Sequence, residues 1–494
     1  MKVMIAYPPL PRAKGVPLLS QNRQFQWFND PSYLYPLVPA SAATLLKHEG
    51  FDVSWEDGIA EGLSEESWQR RFTEARPDVV ILESKTPVIL LHGDIVRTLK
   101  AIRPETTVVL VGDHVTARPE ESMSAMPADC IVTGGDYDFA LAALCRALRE
   151  QADPVAYPPG VWYRRNGRVE NTGAFSVSHD LSRLPQIDRD LTRWQLYAYR
   201  NGNFKYTPGT YVMASRDCWW GRCRFCSWTT LYPAGTYRTV PAERHLDEVG
   251  SLIDRYGIRE IFDDSGCFPR GEWLRSFCAG MIDRGYARRV ALGCNMRVGG
   301  LSGEEYRLMK RAGFRFVLFG LESVNQATLD RLDKGVRVED IAETCRIAKQ
   351  AGLEPHVTIM VGYPWETRRD AEETVAFARS LLRRGYVDSL QATIVVPYPG
   401  TPLYAEAQRE GWLSTTDWND FDMKKSVWHA PVSPDDVQGF VRSLYRSALS
   451  PRFLIRKASS IRSREDLRYL LRAGRKLMGH LRDFASPSAR EVGP

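Results

Sequence analysis

Short apolar runs alternate with amphipathic segments through the first 150 residues of the chain. The runs KVMIAY, PDVVILES, TTVVLVGD and DCIVTGG have the composition of strands that are buried on both faces. Between them, SAATLLKHEG, GDIVRTLKAIR and FALAALCRALRE repeat their apolar positions with helical periodicity. The pattern predicts an α/β fold for residues 1–150, with a doubly wound, Rossmann-like parallel sheet. Such a sheet binds ligands at the carboxyl ends of its strands.

The same alternation returns near residue 206, after a break. Residues 151–205 contain VWYRRNGRVEN, a hairpin pattern with Asn-Gly at its turn, and then a linker. Over residues 206–405, helical segments separate six strand patterns, which are TYVMAS, REIFDD, RVALGCNM, FRFVLFGLE, PHVTIMVG and SLQATIVV. Six strand–helix units predict a partial (β/α)6 TIM-like barrel, whose functional groups lie at the carboxyl ends of the strands.

Residues 406–494 predict a C-terminal helical extension. In the segment 461–482, leucines and one methionine fall near one helical face, and arginines supply the charge. Such a helix either packs its apolar stripe on the protein or lies on an anionic membrane surface, and the sequence leaves both open.

Charge and hydropathy narrow the class of protein. The 494 residues carry 66 basic and 60 acidic side chains, and this mild excess of +6 does not indicate a nucleic-acid partner. The sequence shows no apolar run long enough to span a membrane. The start, MKVMIAYPPL, lacks the basic and long apolar regions of a signal peptide. We therefore expect a cytoplasmic protein, with peripheral membrane contact at most.

Three of the nine cysteines are clustered, namely Cys218, Cys223 and Cys226 in SRDCWWGRCRFCSW. Thiolates are soft ligands that suit zinc and iron–sulfur centres. A structural zinc site takes four protein ligands, and no fourth cysteine lies nearby in the sequence. Three ligands predict a 4Fe–4S cluster with one open iron, while structural zinc and chance clustering are the alternatives.

The cysteine segment resembles the cluster loop of radical S-adenosylmethionine (SAM) enzymes, whose usual spacing is C-x3-C-x2-C. Here four residues separate Cys218 from Cys223, so the first gap is one residue longer than in the family. The resemblance continues through IFDDSGCF, CNMR, FGLESVN and VGYPWET. In the family, SAM binds the open iron and is cleaved reductively to a 5′-deoxyadenosyl radical. The resemblance implies SAM contacts from Phe225, Asp263, Asp264, Ser265, Asn295, Arg297, Glu322, Ser323 and Gly362.

A doubly wound domain ahead of such a barrel resembles the cobalamin-binding subgroup of radical SAM enzymes, the class B methyltransferase-like subgroup. The match runs through ILESKTP, VVLVGDHVTARPEES and CIVTGGDYDF. It implies cobalamin contacts from Ser84, Thr86, Gly112, His114, Gly134 and Gly135. Many cobalamin proteins carry a D-x-H-x-x-G loop, whereas the loop YPPLPRAKG has no histidine. A cobalamin domain that has lost its ligand is therefore the alternative.

The combined resemblance implies a cobalamin-dependent radical SAM enzyme that methylates an unactivated carbon of a small-molecule, lipid or natural-product substrate. It also implies an external electron donor of the flavodoxin or ferredoxin type. Two alternatives stay open. A radical cyclase, ring-contraction or oxidation enzyme would use the same cofactors without methyl transfer. A non-catalytic cobalamin- or metal-binding regulator would bind its ligand without turnover.

Overall fold

The computed structural model describes residues 1–17 and 27–485 of the chain. The final residues of the predicted extension, 486–494, lie outside this part. Among the helices that the structure describes, none combines the length and the apolar content that a membrane-crossing helix requires.

A seven-stranded sheet forms the centre of the N-terminal domain, in the order β4-β1-β5-β6-β7-β8-β9. The first five of these strands pair in parallel, and β8 and β9 continue the sheet as an antiparallel hairpin. The strands of this region are β1 (Lys2–Tyr7), β2 (Val16–Pro17), β3 (Trp27–Phe28), β4 (Asp52–Asp57), β5 (Val79–Glu83), β6 (Thr107–Val111), β7 (Cys130–Val132), β8 (Val161–Arg165) and β9 (Arg168–Asn171). The hairpin expected within residues 151–205 is thus the edge of this sheet.

Helices cover both faces of this sheet because each central strand is apolar on both sides. In β1, Val3 and Ile5 join one hydrophobic cluster, whereas Met4 and Ala6 join another on the opposite face. The helices are α1 (Leu37–His48), α2 (Gly58–Glu61), α3 (Glu65–Ala75), α4 (Ile89–Ile102), α5 (Asp113–Ala117), α6 (Pro119–Ala125) and α7 (Tyr137–Arg149). The doubly wound prediction is confirmed.

A second parallel sheet curls into a half-barrel, in the order β10-β13-β14-β15-β16-β17. Its six strands are those that the hydrophobic pattern predicted. The strands of this region are β10 (Gly209–Val212), β11 (Ser215–Arg216), β12 (Arg238–Thr239), β13 (Glu260–Asp263), β14 (Ala291–Met296), β15 (Phe314–Glu322), β16 (Glu354–Val361) and β17 (Ser389–Ile394). The short strands β11 and β12 pair with each other beside the barrel.

The remaining helices cover the outside of the half-barrel and form the C-terminal extension. They are α8 (Gln195–Ala198), α9 (Trp228–Leu231), α10 (Ala242–Tyr256), α11 (Glu272–Asp283), α12 (Gly303–Arg311), α13 (Gln326–Arg331), α14 (Val338–Gln350), α15 (Arg368–Arg384), α16 (Pro402–Arg409), α17 (Pro434–Ser447), α18 (Pro451–Ser459) and α19 (Arg464–Asp483). Between α16 and α17, a segment that we call the strap (residues 415–424) contains a 3₁₀ turn at Trp418–Asp420. It runs across the carboxyl ends of strands from both domains.

Candidate active site

A cavity of about 300 Å³ opens at the carboxyl ends of the half-barrel strands. Its lining comes from the cysteine loop, from the ends of β14 to β17, and from the strap. Within the described part of the chain, no lining residue belongs to positions 1–150. The barrel alone therefore builds this cavity, where a (β/α) fold places its functional groups.

The cysteine loop brings all three clustered cysteines to the wall of this cavity. Asp217 adopts a left-handed backbone conformation, with φ of 73°, and its carboxylate accepts a 2.6 Å hydrogen bond from the Cys218 N–H. Further along, the Cys226 N–H donates to the Cys223 carbonyl at 3.1 Å, which closes a turn between them. The Arg224 N–H donates to the Leu332 carbonyl and so ties the loop to the barrel.

The donor set fits a cluster with one open iron. Among the described residues that line the cavity there is no fourth cysteine and no histidine, so the four-ligand zinc alternative lacks a ligand here. The described residues also contain no group of three His, Cys, Asp or Glu side chains arranged around a single ion. A 4Fe–4S cluster needs no such convergence, because each thiolate binds its own iron.

A fourth cysteine, which the sequence pattern did not single out, lies behind the loop. The buried Cys267 thiol shares a hydrogen bond with Cys218, and this bond is the largest cause of a Cys218 pKa lowered to about 6. Backbone N–H groups of Gly221 and Trp220 act in the same direction. In contrast, burial raises the pKa of Cys226 to about 12. Cys218 is thus the most readily ionised of the three thiols, before any metal is bound.

Five of the nine predicted SAM contacts line the cavity together. They are Phe225, Asp264, Asn295, Arg297 and Glu322. The Asn295 amide is oriented by donation to the Ser265 carbonyl at 2.9 Å. Glu322 has a left-handed backbone, with φ of 65°, at the end of β15. Such a conformation is unusual for a side chain of this size and marks a position held by its surroundings.

The other four predicted SAM contacts hydrogen-bond or pack against protein groups and do not line the cavity. The Asp263 carboxylate accepts from the N–H groups of Ala214 and Ser265, at 2.8 and 3.0 Å. The Ser265 hydroxyl accepts from the Ser215 N–H at 2.9 Å. The Ser323 hydroxyl donates to Glu366 at 2.7 Å, and Gly362 lies against Val437. In this structure these four fix the strand ends, and their role toward SAM stays a prediction.

Lys334 is a lining residue that the sequence gave no reason to select. Its ammonium donates to Glu322 Oε1 at 2.8 Å, and it lies 5.6 Å from the centre of the Phe225 ring. Burial alone would lower the pKa of Lys334, but the Glu322 carboxylate holds it above its ordinary value. Gly320 makes room for the pair, since a Cβ there would lie 2.3 Å from Glu322 Oε1. The pair spans α13, and no spacing rule connects its members.

The opposite wall of the cavity is neutral. It consists of aliphatic, methionine, hydroxyl and amide side chains, namely Leu318, Thr358, Met360, Gln391, Thr393, Val395, Val396, Tyr398 and Met423. The cavity therefore has a charged side beside the cysteines and an uncharged side beneath the strap. The charged side suits the amino-acid and ribose groups of SAM. The uncharged side suits a less polar molecule.

The six predicted cobalamin contacts gather at the carboxyl ends of β5, β6 and β7. Ser84 and Thr86 each lie within hydrogen-bond distance of a histidine, His92 at 2.9 Å and His114 at 3.2 Å respectively. Gly112 has a φ of 119° and lies against the Ser84 carbonyl. Hydroxyl, imidazole and glycine backbone groups of this kind can hold a polar cofactor by hydrogen bonds.

Protein side chains cover this edge in the present conformation. The His114 ring meets Trp418 of the strap edge to face, with 5.0 Å between the ring centres. Tyr232 lies over Gly135, and Phe175 lies over Gly134. The groups present are therefore suitable for cobalamin, but they are reached only if the strap and these rings move. We derive no step from cobalamin geometry.

Comparison with known proteins identifies two domains in the order that the sequence indicated. Residues 30–144 match the B12 binding domain, and residues 213–378 match the radical SAM superfamily. The chain is therefore a radical SAM protein, and it carries a B12-binding domain ahead of its barrel. The radical SAM domain implies a 4Fe–4S cluster and SAM, and the B12-binding domain implies cobalamin.

Curated relatives extend the likeness over most of the chain. An uncharacterized methyltransferase of Pyrococcus horikoshii is 27% identical over 85% of this chain and 89% of its own length. The hopanoid C-3 methylase of Methylococcus capsulatus is 23% identical, over 80% of this chain and 72% of its own. An anaerobic magnesium-protoporphyrin IX monomethyl ester cyclase of Cereibacter sphaeroides is 23% identical, over 73% of this chain and 58% of its own.

Solved structures share the fold at low sequence identity. The radical SAM methyltransferase TsrM of Kitasatospora setae, with cobalamin and a [4Fe-4S] cluster bound, has a TM-score of 0.65 at 17% identity. That match covers 83% of this chain and 78% of TsrM. The cobalamin-dependent radical enzyme OxsB has a TM-score of 0.67 at 14% identity, covering 97% of this chain and 71% of OxsB.

Proposed function

We propose that this chain is a cytoplasmic, cobalamin-dependent radical SAM methyltransferase that acts on an unactivated carbon of a small-molecule, lipid or natural-product substrate. One observation carries the proposal: a single cavity joins three cysteines and a charged SAM-sized wall to an uncharged wall. The methyltransferase names among the relatives, and the TsrM fold, support methyl transfer. When bound, the cluster and SAM supply a 5′-deoxyadenosyl radical, and cobalamin supplies a methyl carrier.

The chain's own residues bind, orient and exclude water. Cys218, Cys223 and Cys226 would hold the cluster. Lys334 and Arg297 place positive charge beside it for the carboxylate of SAM, and the Phe225 ring offers a face to the adenine. Met423 closes the uncharged wall, since a carbon radical requires a site without bulk water. The electron enters from an external donor, for which we propose a flavodoxin- or ferredoxin-type protein.

SAM labelled with deuterium in its methyl group tests methyl transfer directly. The reconstituted protein, a reductant, cobalamin and a candidate substrate pool should give both 5′-deoxyadenosine and a product carrying labelled methyl carbon. A Cys226→Ala variant should give neither, because it lacks one cluster ligand. Formation of 5′-deoxyadenosine with an unlabelled, rearranged product would replace methyl transfer by the cyclase-type function that the Cereibacter relative carries. Binding of cobalamin without SAM cleavage would leave only the regulator.

We also propose that α19 contacts an anionic membrane surface. Leu467, Leu471 and Met478 follow one another on one stripe of this helix, and their side chains are 49%, 67% and 48% exposed. The opposite side of the helix packs on the protein through residues such as Leu477 and Leu481. Exposed arginines flank the stripe, including Arg464, Arg468 and Arg475. An apolar stripe with basic borders is typical of helices that lie in the interface of an anionic bilayer.

Sedimentation with lipid vesicles tests this contact. The full chain should sediment with phosphatidylcholine vesicles that contain phosphatidylglycerol, and less so at high salt. Leu467→Ser with Leu471→Ser should weaken binding at least about tenfold, because each side chain would leave the apolar layer. Leu90→Ser is the matched control, since Leu90 is 43% exposed on α4, in the other domain. Equal loss in the control, or no binding by the wild type, would contradict the proposal.

A further inference from the structure

The four residues between Cys218 and Cys223 form an aromatic contact that the usual three-residue gap would leave less room to make. Two of them are Trp219 and Trp220, and neither loops out into solvent. The Trp219 indole N–H donates to the Phe268 carbonyl at 3.2 Å, and that of Trp220 donates to the Asp333 carbonyl at 2.8 Å. Gly221, with φ of 59°, then turns the chain back toward Cys223.

Arg297 lies against both rings. Its guanidinium carbon is 4.1 Å from the centre of the Trp220 ring and 5.6 Å from that of Trp219. The same guanidinium donates to the carbonyls of Lys334 and Gly335. Gly335 has a φ of 61°, and a Cβ there would lie 2.2 Å from the Trp220 ring. Ring, guanidinium and the 334–335 backbone therefore form one packed unit.

We propose that Trp220 is a positioning residue for SAM, acting through Arg297. The inference rests on the proposed function, because it assumes that the charged wall receives SAM. Arg297 is nearly buried and lines the cavity, so its orientation decides which of its N–H groups face the ligand. A guanidinium over the face of a tryptophan is held by electrostatic attraction to the ring, and the attraction is strongest away from water. The longer cysteine gap thus couples the cluster loop to the charge that receives the carboxylate of SAM.

Equilibrium dialysis of SAM against the anaerobically reconstituted full chain measures this coupling without turnover. Trp220→Leu should raise the Kd for SAM about tenfold, whereas Trp220→Phe, which keeps an aromatic face, should stay within about threefold. Iron content and the signal of the reduced cluster without SAM should be unchanged in both. Trp219→Leu should have the smaller effect, because its ring is farther from Arg297.

Trp412→Leu is the matched control. Trp412 stacks with Arg331 at 4.9 Å, and neither residue lines the cavity. This variant loses an arginine–tryptophan contact of the same kind and should bind SAM like the wild type. If it binds as weakly as Trp220→Leu, the effect is general loosening, and the inference fails.

A double-mutant cycle shows whether Trp220 acts through Arg297. In an Arg297→Gln background, adding Trp220→Phe or Trp220→Leu should change the Kd little, since the group being positioned is already gone. Additive losses, or wild-type affinity in Trp220→Leu, would overturn the inference alone. A wild-type chain that has its full cluster but binds no SAM would overturn the proposed function as well.

Discussion

Lys334 places a positive charge at the bottom of the cavity, and it is stable there because Glu322 neutralises it. The side chains are only 10% and 8% exposed. A buried ion pair stabilises little in total, but removing one partner leaves the other uncompensated. Lys334→Met should therefore lower the free energy of unfolding by about 3–5 kcal/mol and should also weaken SAM binding. Urea unfolding and SAM dialysis measure the two effects.

The double variant Lys334→Met with Glu322→Gln separates stability from binding. It removes both charges, so most of the lost stability should return, since nothing charged is left buried without a partner. Its affinity for SAM should stay low, because the positive charge is still missing. If SAM affinity returns together with stability, Lys334 serves only the fold, and its place in the proposed site is wrong.

At the scale of the element, the strap links the two halves of the molecule through a few side chains. Lys14 of the N-terminal domain pairs with Asp422 at 2.7 Å, and Lys424 pairs with Asp483 of α19 at 3.0 Å. Between these anchors, Met423 adopts a left-handed backbone with φ of 62° and lines the cavity. Strain of this kind persists where the surroundings fix the chain, and here it puts a side chain over the reactive space.

Two substitutions at Met423 should differ in stability but agree in function. Met423→Ala keeps the left-handed strain, whereas Met423→Gly relieves it and should be about 1 kcal/mol more stable than the alanine variant. Both remove the wall above the cavity and should increase the 5′-deoxyadenosine formed without substrate, because water enters. Thermal unfolding and product analysis measure these quantities. Unchanged abortive cleavage in both variants would show that Met423 does not seal the cavity.

The strands and the cysteine loop were predictable because their signals are local. Apolar runs such as that of β5 identify a strand directly, and three cysteines in nine residues identify a metal loop. Strand-end residues such as Asn295 and Glu322 were also reachable, since parallel strands end at one edge. Lys334, Trp418 and Met423 were not. Their positions depend on how a helix returns and how the strap crosses two domains, and no periodicity in the sequence encodes this.

At the scale of the whole molecule, a buried charge network joins the B12-binding domain to the cluster loop. Arg216, two residues before Cys218, forms a bidentate pair with Asp138 at the start of α7 and also contacts Asp136 at 3.3 Å. Arg238 donates to both oxygens of Asp136, at 2.7 and 2.9 Å, and His179 lies 2.9 Å from it. Although burial opposes it, the bonds from His179 and Arg238 hold the pKa of Asp136 well below its usual range.

The position of this network makes domain docking a condition for an ordered cysteine loop. Asp138→Asn leaves the Arg216 guanidinium buried beside a neutral amide, so the free energy of unfolding should fall by about 3–5 kcal/mol. Arg255→Gln is the control, because its pair with Asp190 is 64% and 55% exposed and should contribute at most about 1 kcal/mol. The cluster absorbance of Asp138→Asn should also be lost at a lower urea concentration than the helical signal, since the loop loosens before the barrel unfolds. Loss of both signals together, with wild-type cluster retention, would mean that the two domains dock without controlling the site.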